Sequence, residues 1–159
     1  LSPQQKHLWS LQRSHPEVPT IAQCVLLCEG ALQVETLKTA LEKVIQRHEI
    51  LRTTFQCLPE MILPLQVIQE ETNLSISVSE PLFDRDLAQL ELAVQNYLQK
   101  NSQVPSLEHS PSLQVEIIPL APQQHLLMLS LPSLCADATT LQLLASEISR
   151  TYAGDVDSQ

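Results

Sequence analysis

Apolar residues recur along the chain with two periods, and the switch between them predicts the elements. Ser2-Pro3 reads as a helix start, a hydroxyl to cap free amides followed by a residue that lacks the donor a first helical position would waste. Leu8, Trp9 and Leu11 give that short helix an apolar side. Ser14 to Pro19 reads as loop, and Thr20 to Glu29 as a strand closed by Gly30. Val34, Leu37, Leu41, Val44, Ile45 and Ile50 then recur at three- and four-residue steps, with Glu35, Lys38, Glu42, Lys43 and Gln46 between them, which predicts a helix over about Val34 to Arg47. Met61 to Ile68 and Leu74 to Val78 read as short strands. Asp84 is a candidate cap for a second long helix with Leu87, Leu90, Val94 and Leu98 on one stripe, fraying by Ser102.

A Pro/Ser-rich link, Val104 to Ser112, separates this helix from two further strands, Leu113 to Leu120 and His125 to Leu131, joined by the turn Ala121-Pro122-Gln123-Gln124. The second of these is apolar on both faces, as a central strand requires. After a loop from Pro132 to Asp137, a last helix runs to about Tyr152. The order α-β-α-β-β-α-β-β-α predicts an α+β fold, helices layered on a mixed sheet, in one domain spanning 1–159.

Composition narrows the chemistry. The chain has 159 residues, 43% of them hydrophobic, and nine basic against eighteen acidic side chains for a formal charge of −9. That balance argues against nucleic acid and anionic membrane surfaces, both of which need clustered Lys and Arg. Only two glycines occur, Gly30 and Gly154, so neither a phosphate-cradling loop nor a dinucleotide fingerprint can be built. Cys24, Cys28, Cys57 and Cys135 show no secreted-framework or zinc spacing, and read as core thiols of a protein in a reducing, cytoplasmic setting. No cofactor or metal is expected. Leu1 is not an initiator methionine and no secretory signal opens the sequence, so the chain is expected to be a piece of something longer.

Three stretches carry more specific information. Leu1 to Leu11 is LSPQQKHLWSL, a Ser-x-x-Gln helix start followed by Leu-Trp. Arg47 to Phe55 is RHEILRTTF. Leu107 to Leu113 is LEHSPSL. Together they resemble the condensation domain of nonribosomal peptide synthetases, and the second matches that family's Arg-His-Glu-x-Leu-Arg-Thr-x-Phe at every fixed position. The likeness covers the family's N-terminal lobe only. It implies a single chloramphenicol acetyltransferase-like lobe, where a complete domain has two in a V with the active site in a tunnel between them.

The family's His-His-x-x-x-Asp-Gly motif falls on Pro132-Ser133-Leu134-Cys135-Ala136-Asp137-Ala138. Pro132 and Ser133 replace both histidines and Ala138 the glycine; Asp137 alone survives. Serine has no group titrating near pH 7 and cannot take over an imidazole's proton-handling, an effect typically worth ~10²–10⁴-fold. The resemblance also implies that Asp137 is structural, paired with Arg52. Loss of one partner of such a buried pair costs ~3–5 kcal/mol, so it can outlast catalysis.

Other candidates are weaker. Cys135 has no histidine nearby in sequence to activate it. Ser133 with His125 lacks the Gly-x-Ser-x-Gly elbow of a hydrolase. His48 fits a helix end, while His7, His15 and His109 read as solvated. The expectation is therefore a catalytically inactive, truncated condensation domain acting as a platform for an adenylation domain of the same synthetase, with a carrier protein domain as a further partner. Two alternatives stand beside it: a module recruiting a tailoring enzyme in trans, and half of an acyltransferase working on carrier-bound thioesters.

Overall fold

In the computed structural model, the described residues are 1–15, 17–18, 20–71, 74–82, 86–100, 107–108 and 113–154. Helix α1 (Pro3–Ser14) begins with a reciprocal capping box: the Ser2 hydroxyl accepts from the Gln5 amide at 3.1 Å and the Gln5 side chain accepts from the Ser2 amide at 2.8 Å. Strand β1 (Ile21–Glu29) ends where Gly30 takes φ 101°, a conformation that a Cβ disfavours, and the Gly30 amide closes on the Gln123 carbonyl at 2.8 Å. Helix α2 (Val34–Arg47) has the bounds its periodicity predicts.

The segment after α2 departs from expectation. A 3-10 turn over Glu49–Arg52 leads into strand β2 (Thr53–Gln56), which pairs antiparallel with β3 (Leu65–Ile68) as a separate two-stranded sheet. The expected strand from Met61 is thus only its last four residues. The stretch before Leu65 stays outside the ladder, and Glu60 there adopts φ 71°. Strand β4 (Ser75–Val78) precedes α3 (Leu87–Lys100). The expected cap Asp84 lies outside the described residues; the Asp86 carboxylate accepts from the Gln89 amide at 2.7 Å and caps the helix. Ser102 and all of the expected 104–112 link except Leu107 and Glu108 also lie outside the described residues.

Strands β5 (Gln114–Ala121) and β6 (Gln124–Pro132) form a hairpin closed by Pro122-Gln123, and α4 (Ala138–Ala153) ends at Gly154 in the left-handed conformation. The main sheet has the order β1-β6-β5-β4, with β4 and β5 parallel and the other pairs antiparallel. Parallel neighbours need a long crossover, which the α3 segment supplies.

As a central strand, β6 buries both faces. Leu127, Leu129 and Leu131 join Val115 and Ile117 of β5 against Leu41, Val44 and Ile45 of α2 and Leu141, Leu144 and Ile148 of α4. On the opposite face Leu126, Met128 and Ile118 pack under Leu90, Val94 and Leu98 of α3. The result is a helix–sheet–helix sandwich, the mixed layered architecture expected. A third, smaller cluster of Phe55, Leu134 and Cys135 with Leu8 and Trp9 seats α1 and β2 at the C-terminal end of β6. That end leads into residues 132–138.

One ion cluster fixes α2 to α4. The Glu147 carboxylate lies 2.6 Å from Arg47 Nη1 and 2.7 Å from His48 Nε2. Burial opposes the charge on Glu147, but hydrogen bonds from His48 and Arg47 outweigh it and hold the carboxyl below the usual carboxylate range. Stability from this cluster is therefore complete above the ordinary glutamate pKa and is lost as pH falls through the depressed one. Glu147→Gln should lower stability by about 1 kcal/mol at neutral pH and remove part of the acid sensitivity between about pH 5 and 3. Urea midpoints at pH 7 and pH 3.5 check this; the same loss at both values would show that charge is not what Glu147 contributes.

Candidate functional site

Residues 132–138 connect the end of the central strand to the first turn of α4, the position the family resemblance predicts for a catalytic loop. Sheet pairing positions Ser133 beyond Pro132, and its amide donates to the Thr20 carbonyl at 2.8 Å. The following turn closes on itself, with the Cys135 and Ala136 amides donating to the Pro132 carbonyl at 2.7 and 3.2 Å. Gln5 reaches in from α1, and its Nε2 donates to the Leu134 carbonyl at 2.9 Å. One side chain thus completes the α1 cap and ties that helix to the loop. The Ser-x-x-Gln pattern signals the cap in sequence; nothing local signals the contact to Leu134.

The groups available here are poor proton carriers. Ser133 offers a hydroxyl. Cys135 is buried, and desolvation pushes its thiol up to about 12, so it stays protonated and unreactive at neutral pH. His125 is the second residue of β6, paired with Cys28 and Pro119 at the far end of the strand from Pro132. Ser133 lies eight residue steps along from His125, ~27 Å at the usual rise of a strand, so the two cannot act on one substrate. Among the described residues, no group of three or more His, Cys, Asp and Glu side chains is placed to hold a metal.

The expected Arg52–Asp137 pair is not formed. Asp137 is the N-cap of α4, fully exposed, and its Oδ1 accepts from both the amide and the hydroxyl of Thr140 at 2.8 Å. The Thr140 amide bond, then the hydroxyl bond, holds this carboxyl below the ordinary aspartate range. Arg52 turns instead to the β2–β3 sheet, where Nη1 donates to the Gln69 carbonyl at 2.7 Å and the Gln69 amide returns a bond to the Arg52 carbonyl at 2.8 Å. A helix start satisfies an aspartate at once through local amides and the helix dipole, whereas a long-range pair must first order a guanidinium. Each side chain has a structural role, but a separate one.

The remaining histidines divide as their surroundings dictate. His48 closes α2, its amide donating to the Val44 carbonyl at 3.2 Å and its ring meeting Glu147. His7 and His15 are exposed, and His109 lies outside the described residues. The thiols of Cys24 and Cys28 are half-buried and raised by desolvation, Cys57 is exposed, and all four cysteines are free.

Comparison with known proteins decides the family, because the profile of the Condensation domain matches residues 1–158. The chain belongs to the condensation-domain family. Gramicidin S synthase 2 of Brevibacillus brevis is 30% identical over 130 residues, 82% of this chain and 3% of the synthase. Tyrocidine synthase 3 of Brevibacillus parabrevis is 31% identical over 130 residues, again 82% of this chain and 2% of the relative. The chain therefore spans a very small part of these relatives' length. In fold it is similar to the starter condensation domain of the rhizomide synthetase, with a TM-score of 0.78 at 22% identity over 97% of this chain and 37% of that one. The X-domain in complex with OxyB from teicoplanin biosynthesis gives a TM-score of 0.73 at 23% identity, covering 96% and 32%. The family lobe is chloramphenicol acetyltransferase-like, and this chain is a condensation-domain fragment of one such lobe. Among the described residues, no helix is long and apolar enough to cross a membrane.

Proposed function

We propose that this condensation-type lobe, residues 1–159, does not form peptide bonds and serves as a structural platform for a neighbouring adenylation domain of a nonribosomal peptide synthetase. The observation carrying this reading is the hydroxyl of Ser133 at the turn between the central strand and α4, where the family places an imidazole. No other described side chain of that loop supplies a base near neutral pH: Cys135 is held protonated by burial, and Asp137 is held ionised in its helix cap.

What remains is a well-packed sandwich, with Leu41, Val44 and Leu129 wholly buried. Such a body can cover a neighbour's apolar surface without doing chemistry. Producing the adjoining adenylation domain with and without this segment tests the role. Soluble yield and amino-acid activation are both expected to fall when the segment is removed; equal behaviour of the two forms would overturn it.

A second reading follows from the fold likeness to the X-domain bound to OxyB, a condensation-like fold in complex with another protein. On that reading the lobe recruits a tailoring enzyme in trans. It predicts normal activation by the shortened synthetase and loss of one product modification, which separates it from the platform.

A further inference from the structure

Five large apolar side chains, Leu58, Met61, Ile62, Leu65 and Ile68, stand exposed within eleven consecutive residues, with Ile62 the most open at 81%. They belong to β3 and the loop before it. This loop is held in place: the indole Nε1 of Trp9 and a guanidinium nitrogen of Arg13 both donate to the Ile62 carbonyl, at 3.2 and 3.4 Å. The backbone is thus pinned while the Ile62 side chain faces water, an arrangement whose hydrophobic cost needs a reason.

The pinning helix also carries charge of the opposite sign to the rest of the molecule. Residues 1–16 contain Lys6, Arg13, His7 and His15 and no carboxylate, in a chain of net charge −9. Lys6, Trp9 and Arg13 recur at i, i+3 and i+7, so the cations lie along the face that grips the apolar loop. Glu60, also exposed, is the one carboxylate in the loop.

We infer that this apolar loop, flanked by Lys6 and Arg13, is the surface through which the lobe docks onto the neighbouring domain of the same polypeptide, at an apolar hollow rimmed by carboxylates. The inference rests on the platform reading and assigns its contact surface. Two considerations select a tethered domain over a free protein. The patch offers on the order of a few hundred Å², short of the ~800 Å² per partner of stable free complexes. The relatives carry the matching segment as 3% and 2% of one long polypeptide, and a short tether supplies an effective concentration in the mM range. The cations steer the contact and set its register, while the apolar side chains supply most of the adhesion.

Cys57, exposed beside Leu58, is a natural reporter. In the full synthetase polypeptide, a tethered contact of ~0.1 mM affinity is closed about nine-tenths of the time, so alkylation of Cys57 should slow about tenfold relative to an open thiol. Ile62→Ser, at a side chain that carries no core packing, should restore fast alkylation, and Lys6→Glu should do so in part. Zero-length carbodiimide cross-linking of the unaltered polypeptide should join the Lys6 amine to a carboxylate of the adjoining domain. Rapid alkylation of Cys57 in the unaltered polypeptide would overturn the inference, as would protection indifferent to Ile62→Ser. A Lys6 cross-link to a second lobe of the condensation fold, or to a second copy of the chain, would overturn it too. Soluble yield and amino-acid activation after deletion of the segment report on the platform role independently.

Discussion

Truncating Leu129 to alanine should lower the unfolding free energy by about 2–5 kcal/mol, because the side chain is fully buried at the centre of the middle strand. Leu129 pairs with Cys24 on one side and Val115 on the other, and it lies within the cluster shared by α2 and α4. The cavity left behind lies between the sheet and the α2–α4 layer, neither of which can collapse into it alone. Since small domains hold only ~5–15 kcal/mol in total, the variant should unfold at clearly lower denaturant and accumulate poorly. A urea titration checks it. A loss below ~1 kcal/mol would mean that β6 is not the central strand.

Phe55→Ala should cost about 3–5 kcal/mol and act at a different place. Phe55 is 1% exposed and forms the small cluster with Leu134 and Cys135, against which Leu8 and Trp9 of α1 pack. The phenyl ring therefore joins the Arg47–Phe55 segment, the loop after β6 and α1. Beyond the loss of global stability, hydrogen exchange should speed up in residues 3–14 and 133–136 before it does in β5 and β6. Uniform acceleration across the chain would contradict a separate packing unit at that end. Phe55 closes the family's second motif, so the motif's last fixed residue holds the catalytic-loop region in shape whether or not chemistry occurs there.

Much of this fold was legible because its strongest elements obey one period each. Val34 to Arg47 alternates charge with apolar residues at helical spacing, and its bounds match the observed helix. The stretch from Leu126 to Leu131 is apolar on both faces and lies in the middle of the sheet. Strand β2 was not legible. Thr53, Thr54 and Phe55 are all buried, so no alternation marks them, and four residues are too few to show a period. Met61 and Ile62 misled in the opposite direction, since they are apolar yet exposed in a loop, where a docking surface and a strand look the same in sequence.

The candidate site shows the same division. The strand–turn–helix setting of Ser133 followed from the order of elements and from the family resemblance. The partnership of Arg52 with Asp137 did not survive, because the local demand of four unpaired amides at the start of α4 captures the aspartate. Gln5 could be read as a cap but not as the tether of Leu134, a contact between residues 129 positions apart. Long-range side-chain bonds of this kind leave no periodic trace.

The most direct measurement of the central claim is peptide formation itself. The purified chain is mixed with one carrier domain bearing an aminoacyl thioester donor and a second bearing an aminoacyl acceptor, and carrier-bound dipeptide is followed by mass spectrometry. Dipeptide is expected at the level of the enzyme-free control, because the hydroxyl of Ser133 offers no base near neutral pH. Dipeptide formed above that control by the unaltered chain would contradict the claim.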